Sequence, residues 1–556
     1  MNDLGDRFVS RAEIARLAGV RRPAVSNWER RHPDTFPRPA SAGEDGTELF
    51  RAAEVVDWLD HRAIPANARE NGEPAGTTYG DRFRAGLQGG AEAAPKTPAP
   101  APDTLVRGVE QALAQHGGTV SPEHVEMLLA LLCLRGSRPE AWRALSSAAA
   151  GTTPPEPTEL CRRITSDLPV RLSPTTLQTW QEGGRSLVEA IRLIDTHGTG
   201  ERSECVAAFD HLIEWAARTG PARTAGEFFT PPSITRTVTR LLAPSVDAAE
   251  VHDPFCRTGE MLAAIVDTRG VSGRTRPLRV SGAGTPDFSL RLARLGMDLR
   301  GYDPADLVQG ASTPSEYTAP LRRKVDLLVT NPPFNTRVPE SPRNTGHWRY
   351  GPPPPHRANF DWLQYAVDSL SADGRACVVM AAGATFSNSS RERQIRSAMV
   401  TDGAVECVVE LPPGLFFPTG IAVTLWLLRA PTGSCEEVLF ITARAMGTMA
   451  TRAVRSLSEQ ESDAIAHEYH AWRDSGGTGG AYRGSPGFSR AVGLDEIRAN
   501  DYALTPSRYV SPVPETDSAP ARKDSLGRLS AKLVRLHEEA ARIDAFVESI
   551  LRRHDV

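Results

Sequence analysis

From about residue 220 to residue 446 the chain predicts an α/β fold with a mostly parallel, doubly wound sheet. Short β-like runs alternate there with helix-period stretches: AEVHDPFC, PLRVSGAG, VDLLVTNPPF, RACVVMAA, AVECVVELP and AVTLWLLR, in that order. The run from Val325 to Val329 is rich in branched and apolar residues, as a short buried strand requires. It halts at Asn331-Pro332-Pro333-Phe334, because proline has no N–H to give a ladder. The stiff loop so formed holds a carboxamide and an aromatic ring beyond the strand. Ligands of open α/β sheets bind at such carboxyl ends. The plainer alternative is a Pro-rich turn after an edge strand.

Bulk properties narrow the rest. A chain of 556 residues exceeds one hydrophobic core, so about three or four domains are expected. Composition is that of an ordinary soluble protein, with 40% hydrophobic and 24% charged residues. No run reads as a membrane span, and the polar first residues do not read as a signal peptide. Seven cysteines without a CxxC pair argue against a disulfide framework and against a zinc cage, and favour the reducing cytoplasm. A net charge of −4 excludes a uniformly basic nucleic-acid binder while leaving room for local basic surfaces.

Residues 1–63 read as a small helical unit. In VSRAEIARLAGVRRPAVSNWERR a helix from Ala12 to Ala18 is followed by a turn at Gly19, and Pro23 suits the first turn of a second helix. Arg21, Arg22, Ser26, Asn27, Arg30 and Arg31 decorate that second helix, with side chains able to reach phosphates and base edges in a major groove. With FPRPA and LFRAAEVVDWLDHR after it, the unit resembles the MerR/excisionase type of winged helix-turn-helix. The alternative is a helical hairpin for protein contact. Residues 64–104 are rich in Ala, Pro and Gly and read as a linker.

Residues 105–220 are helical by apolar period, notably EHVEMLLALLCLRG and AFDHLIEWAARTG. Residues 221–446 form the α/β domain and 447–512 a C-terminal extension of it. After a Pro/Ser linker, residues 522–556 form a final helix. Its Leu526, Leu529, Leu533, Leu536, Ala540, Ile543, Val547 and Ile550 step by three and four, a heptad seam favouring an intermolecular partner over packing on its own domain.

Within the α/β domain GEFFTPPSITRTVTRLL reads as a loop feeding a helix. VHDPFCRTGEML reads as strand, turn and helix, with Asp253 at the strand end and Gly259 opening the helix. A turn of that kind brings backbone close to a nucleotide-like ligand. His252 reads as a packing residue and Cys256 as a small buried filler.

In their order, Gly226 to Pro231, Asp253 to Gly259 and Asn331 to Phe334 resemble successive motifs of adenine-N6 DNA methyltransferases. More narrowly they resemble the modification subunit of type I restriction–modification systems. RYGPPPPHRANFDWLQ, VVELPPGLFFPTGIAVTLWLLR and NDYALTPSRYV extend the resemblance over about residues 160–512. It implies a Rossmann-like sheet that binds S-adenosylmethionine, with Glu227, Phe229, Thr230, Asp253, Cys256, Thr258, Gly259 and Asn331 around the cofactor. It implies a target adenine flipped out of double-stranded DNA. Phe334 then stacks on the base, the Asn331 side-chain oxygen and the Pro332 carbonyl accept from its amine, and Pro332 and Pro333 stiffen the loop. No metal is implied, since the sulfonium is itself a good leaving group. It further implies a separate DNA-specificity subunit packed on the C-terminal helix, and a restriction nuclease as a further associate.

Three positions depart from the family. Arg257 stands where Gly is usual, Gly284 where an acidic residue usually meets the ribose, and Ala311 where Asp is common. Asp287 and Asp303 are the nearby carboxylates. An inactive, DNA-binding scaffold on this fold is the principal alternative, and a glutamine or RNA methylase with the same tip is another. His347, Trp348, Arg349 and Tyr350, just after the tip, are read as touching DNA rather than only ordering their loop.

Overall fold

The Val325–Thr330 run lies in the middle of a sheet, and from Leu327 on it sends alternate side chains to opposite faces. Leu327 and Val329 enter one apolar cluster, Leu328 another, and Val325, before a shift in register, joins Leu328. That is why the run is apolar at nearly every position. In this computed structural model the described residues are 8–18, 20, 22–32, 35–42, 48–62, 64, 77–88, 120–183, 185–197, 201–219, 229–242, 249–271, 277–285, 287–317, 323–338, 348–416, 420–450, 454–475, 482–510, 534–535 and 542. Two units separate, Met1–Ala99 and Pro100–Val556.

The first unit holds strands β1 (Phe8–Ser10), β2 (Ser41–Ala42) and β3 (Glu48–Arg51), all antiparallel in the order β1-β3-β2. Helices Arg11–Leu17, Arg22–Arg31 and Ala52–Asp60 complete it around Val9, Ile14, Phe50 and Leu59. The linker expectation fails in part here, because Tyr79–Gln88 is a helix. Its start is a reciprocal cap. The Thr78 N–H donates to Asp81 at 2.8 Å, and the Asp81 N–H donates to Thr78 Oγ1 at 3.2 Å. Phe83 is wholly buried in the unit's core, and Tyr79 meets Trp28 at 5.2 Å. Surrounding Ala, Pro and Gly dilute this one capped, apolar turn in composition.

In the second unit the helices from Pro122 to Thr219 begin repeatedly with proline at the first turn, where a missing N–H costs nothing. Pro122–Ser137 is buried continuously from Val125 to Arg135, as a central helix apolar on every side must be. It shares a core with Leu292, Leu295 and Leu299 of helix Asp287–Leu299, which belongs to the sheet domain. Glu126, fully buried in this contact, accepts hydrogen bonds from Thr176 and is paired with Arg291.

The sheet comprises β4 (Glu250–Asp253), β5 (Arg279–Gly284), β6 (Leu307–Gln309), β7 (Val325–Thr330), β8 (Leu370–Ala381), β9 (Val405–Glu410), β10 (Val423–Arg429), β11 (Glu437–Thr442) and, after a small hairpin of β12 (Thr448–Met449) and β13 (Arg455–Ser456), β14 (Ser489–Gly493). Its order is β14-β11-β9-β10-β8-β7-β4-β5-β6. Strands β4 to β8 pair in parallel, as do β9 and β11, whereas β10 and β14 run antiparallel to their neighbours. Helices Pro232–Leu242, Glu260–Val271 and Glu459–Asp474 cover one face, Asn359–Ser369 and Ser390–Thr401 the other. Truncating Leu328, which has no exposed surface, to Ala costs about 2–5 kcal/mol. No helix among the described residues is long and apolar enough to cross a membrane. The predicted C-terminal helix lies outside the described residues apart from 534–535 and 542.

Candidate active site

From β4 the chain passes to β5 and β6 on one side, then returns to β7 on the other. The strand order therefore reverses between β4 and β7, which pair side by side at Val251–Leu327 and His252–Leu328. A crevice opens beyond the carboxyl ends of such strands. The loops that leave them are Asp253 to Gly259 and Asn331 to Phe334, so the two motifs meet because of the topology.

Asn331 is buried, and its Nδ2 donates to Thr230 Oγ1 at 2.9 Å. Its Oδ1 is also buried and has no hydrogen-bond partner among the described residues. An amide oxygen left so costs about 1–3 kcal/mol. With Nδ2 turned to Thr230, the oxygen is the end left free, so a lone acceptor is presented at the tip. The Asn331 main-chain oxygen accepts from Arg257 Nε at 2.9 Å. Pro332 is buried and Pro333 half-buried. The half-buried Phe334 ring meets Phe416 edge-on, centroids 6.3 Å apart.

The tip is locked behind by a carboxamide pair. The Asn335 N–H donates to Asn359 Oδ1, and Asn359 Nδ2 returns a bond to Asn335 Oδ1, each at 3.0 Å. Asn335 is held at a φ of 56°, a conformation Asn tolerates. Asn359 carries no isolated signal of this role, although it lies within RYGPPPPHRANFDWLQ.

Asp253 is buried at the end of β4, where Oδ1 accepts the Phe255 N–H at 2.9 Å. Burial pushes its carboxyl up to about 7, against the pull of that bond. Glu260, which solvent reaches through a cavity, is likewise pushed up to about 7 by desolvation, although Thr258 Oγ1 donates to it. Two carboxyls so poised suit a cationic ligand, which would restore their charge. The cavity, of about 400 Å³, is lined by Phe229, Thr230, Thr258, Gly259 and Glu260, and closed by Phe209 and Ile213 of helix Arg202–Thr219.

Arg257 sits at a φ of 47°, where only glycine is at ease. It is buried, with its guanidinium 5.1 Å from the Phe255 ring centre. Gly259, at a φ of 89°, passes helix Asp287–Leu299 so closely that a Cβ would stand 3.2 Å from that of Ala293. Cys256 is buried and its thiol is driven far above the ordinary range by desolvation, so it is no nucleophile. It also explains Gly284: a Cβ there would come within 3.2 Å of Cys256 Sγ and of Leu290 Cδ1. The position of the usual acid is filled by sulfur and leucine.

Asp287 and Asp303 border a second cavity of about 510 Å³, where Asp303 Oδ1 caps the turn Pro304–Asp306 through the Ala305 N–H at 2.9 Å. His252 is a packing residue. Its Nδ1 lies 2.9 Å from Ser281 Oγ, and burial lowers it to about 4.

An aromatic buttress supports the β4 loop. Phe255 meets Trp362 at 5.7 Å, Tyr317 meets Trp362 at 6.3 Å, and the Tyr317 hydroxyl donates to the Pro254 carbonyl. Asp361, wholly buried, accepts from Ser315 and from Trp348 Nε1. The expectation that Trp348, Arg349 and Tyr350 face DNA is corrected here. Trp348 bonds Asp361, Arg349 pairs with Asp368 at 3.0 Å, and the Tyr350 hydroxyl donates to Asp402 at 2.9 Å, so all three order their loop. Their polar ends have partners on, or at the end of, helices Asn359–Ser369 and Ser390–Thr401 that spacing alone does not reveal.

Gly226, Glu227, Arg21 and His347 lie outside the described residues. Helix Arg22–Arg31 carries Arg22, Ser26, Asn27, Arg30 and Arg31, the last two exposed; the side chains of Arg22, Ser26 and Asn27 are outside the description. Among the described residues no group of His, Cys, Asp and Glu is arranged to hold a metal ion.

Known proteins resemble this chain over the region that carries these loops. A family model described as N-6 DNA methylase matches residues 206–518. The methylase subunit of the type I restriction enzyme HindI of Haemophilus influenzae is 31% identical over 336 residues, 59% of this chain and 73% of that one. The methylase subunit of the type I restriction enzyme MjaIX of Methanocaldococcus jannaschii is 27% identical over 340 residues, 59% of each. The type I restriction-modification methyltransferase subunit of Streptococcus thermophilus superposes with a TM-score of 0.57 at 17% identity, over 74% of this chain and 100% of the other, which establishes a shared fold.

Proposed function

The chain belongs to the N-6 DNA methylase family, and from that premise we propose that it transfers a methyl group from S-adenosylmethionine to the N6 amine of an adenine in DNA. The observation that carries this reading is the Asn331 carboxamide: nitrogen committed to Thr230, oxygen buried and awaiting a donor. An exocyclic amine is the group that fits. Hydrogen bonds from it to Asn331 Oδ1 and to the Pro332 carbonyl draw its lone pair out of conjugation with the purine ring. Phe334 offers a stacking face for a base withdrawn from the duplex. The cofactor supplies a methyl group on a positively charged sulfur, a good leaving group. With the methyl group taken up by the amine, the surplus proton on nitrogen would pass to water and the sulfonium's electron pair would remain with sulfur. Orientation and fixed acceptors are the protein's contribution.

Phe229, Thr230, Asp253, Thr258, Gly259 and Glu260 would hold the cofactor. The raised Asp253 and Glu260 carboxyls suit its cationic end. With Gly284 closed off by Cys256, contact to the ribose falls to another group, of which Asp287 is nearest in sequence.

Both relatives are named as methylase subunits of restriction enzymes. By that likeness this chain is the modification subunit of a restriction–modification assembly, joined to a DNA-specificity subunit through residues 522–556 and working beside a restriction nuclease. The N-terminal unit adds a DNA contact through helix Arg22–Arg31. Removing everything after Val510 should abolish capture of the specificity subunit and leave cofactor binding intact; continued co-purification would disprove the docking role.

A second reading, a catalytically silent scaffold, draws on Arg257, whose guanidinium reaches from the cofactor loop to the tip. One experiment separates the two. The full chain is expressed with its flanking genes, S-adenosylmethionine binding is titrated by calorimetry, and host DNA is sequenced for N6-methyladenine. Saturable binding and a methylated motif that disappears with Asn331→Ala establish the enzyme. Absence of both establishes the scaffold.

A further inference from the structure

The carboxyl-end rim of the sheet carries a surface that the chemistry above does not use. Loops leaving β7 and β8 rise there, and so does the loop joining β9 to β10, because β10 runs antiparallel to both neighbours. The connections are continuous. Phe334 touches Phe416 in the β9–β10 loop, that loop runs on to Ile421, and the next carbonyl, of Ala422, accepts the Ala382 N–H at 2.9 Å. Ala382 opens the short turn after β8 that ends at Phe386. Phe386 is 55% exposed and Ile421 41%.

The polar setting of this apolar pair has one sign. Arg337, His356 and Arg357 are exposed on these loops, and Arg391 and Arg393 on the first turn of the helix Ser390–Thr401 that follows. Across residues 331–338, 348–358, 382–393, 411–416 and 420–422 the one carboxylate is Glu392, which is buried. No carboxylate pairs with Arg337, Arg357 or Arg391 among the described residues, and Arg393 approaches Asp501 only to 3.9 Å. The chain as a whole is net acidic, so this cationic rim is a local feature. Exposed guanidinium groups on the same rim as an exposed aromatic ring match a partner that is anionic outside and stacked within.

Building on the adenine-methylation reading, we propose that this rim is the duplex-contacting surface, with Phe386, backed by Ile421, as the wedge that enters the gap left when the adenine is withdrawn. Arg337, Arg357 and Arg391 hold backbone phosphates around that gap. A withdrawn base leaves two stacking faces exposed at a cost in free energy, and an apolar ring placed there recovers part of it. Phe386 is then a positioning residue, because it acts on the target through the neighbouring base pairs and never touches the reacting amine.

The test uses the full chain in its methylating assembly, with two duplexes: one with the target adenine paired, one with it opposite an abasic site so that withdrawal is already easy. Phe386→Ala should lower kcat on the paired duplex by about tenfold or more, return to near wild-type kcat on the abasic duplex, and leave S-adenosylmethionine affinity unchanged. Phe386→Trp should keep activity on both. Equal losses on the two duplexes, or wild-type kcat for Phe386→Ala on the paired one, would overturn the wedge. Independently, Arg337→Gln, Arg357→Gln and Arg391→Gln combined should reduce the slope of log affinity against log salt by about 2–3. An unchanged slope with loss of a protein subunit from the assembly would assign the rim to a protein instead. A wild-type assembly that binds DNA with this slope yet methylates neither duplex would refute the catalytic reading and leave the rim's DNA contact standing.

Discussion

The Asn331 carboxamide gives its nitrogen to Thr230 Oγ1 at 2.9 Å and keeps its oxygen free, so a threonine about a hundred residues earlier anchors the amide at the tip. Thr230→Val keeps the shape and removes the acceptor. The amide nitrogen then loses its anchor, the carboxamide is held less firmly, and kcat should fall by about tenfold or more, as loss of one positioned acceptor implies. Thr230→Ser should restore it. Steady-state methylation measured beside calorimetric cofactor binding checks this. A Thr230→Val variant that loses cofactor affinity but not kcat would reduce Thr230 to a cofactor ligand.

Arg257 ties the β4 loop to the β7 tip from a backbone conformation costing about 1–2 kcal/mol for a non-glycine residue. Arg257→Gly removes that strain together with the bond to the Asn331 carbonyl. Thermal stability should hold or rise, while kcat should drop several-fold as the tip loosens. A rise in kcat or in cofactor affinity would instead mark Arg257 as an obstruction, in favour of the scaffold reading.

Asp253 and Glu260 set a pH dependence with a definite sign. Each carboxyl is raised in the folded protein, to about 7, so between about 4 and 7 the folded state holds more protons than the unfolded one. Their contribution to stability is therefore favourable at low pH and is lost as pH rises towards 7. A cationic ligand reverses this by favouring the charged carboxyls. Binding of S-adenosylmethionine should tighten as pH rises through 7 and should release protons below it. Calorimetry at pH 6 in two buffers of different ionisation enthalpy reads that release, and Asp253→Asn should diminish it. Binding that is flat from pH 6 to 8 would separate the two carboxyls from the cofactor.

Much of this was legible in the chain itself, for a physical reason. Strands buried on two faces must be largely apolar, so β7, β8, β9 and β10 stand out as runs. A tip of Asn and two prolines stands out because it cannot continue one. What escaped depends on contacts between distant segments. Thr230 was placed along the cofactor, and its bond to Asn331 has no local signature. Asn359, Tyr317 and Asp361 act through partners 24 to 63 residues away. Trp348, Arg349 and Tyr350 look like a DNA-facing cluster until Asp361, Asp368 and Asp402 are seen opposite them. The helix Tyr79–Gln88 was hidden by the composition on either side of it.

Gly284 and Cys256 form a matched pair, and changing them together tests why an acidic residue is missing there. A Cβ on residue 284 would stand 3.2 Å from both Cys256 Sγ and Leu290 Cδ1, tighter than a well-packed core accepts. Gly284→Asp alone should destabilise the protein by about 1–3 kcal/mol through overpacking, before counting the burial of a charge. Cys256→Ala alone should cost less, since it removes one sulfur atom from the core. Combined, the second change makes room for the first, so the double variant should be more stable than the sum of the two predicts. A carboxylate at the end of β5 then faces the crevice and should tighten S-adenosylmethionine binding relative to Cys256→Ala. Thermal unfolding of the four proteins gives the coupling, and calorimetry gives the affinity. Strictly additive stabilities would mean that Cys256 does not set the shape of this position, and an unchanged affinity would mean that the ribose is held elsewhere.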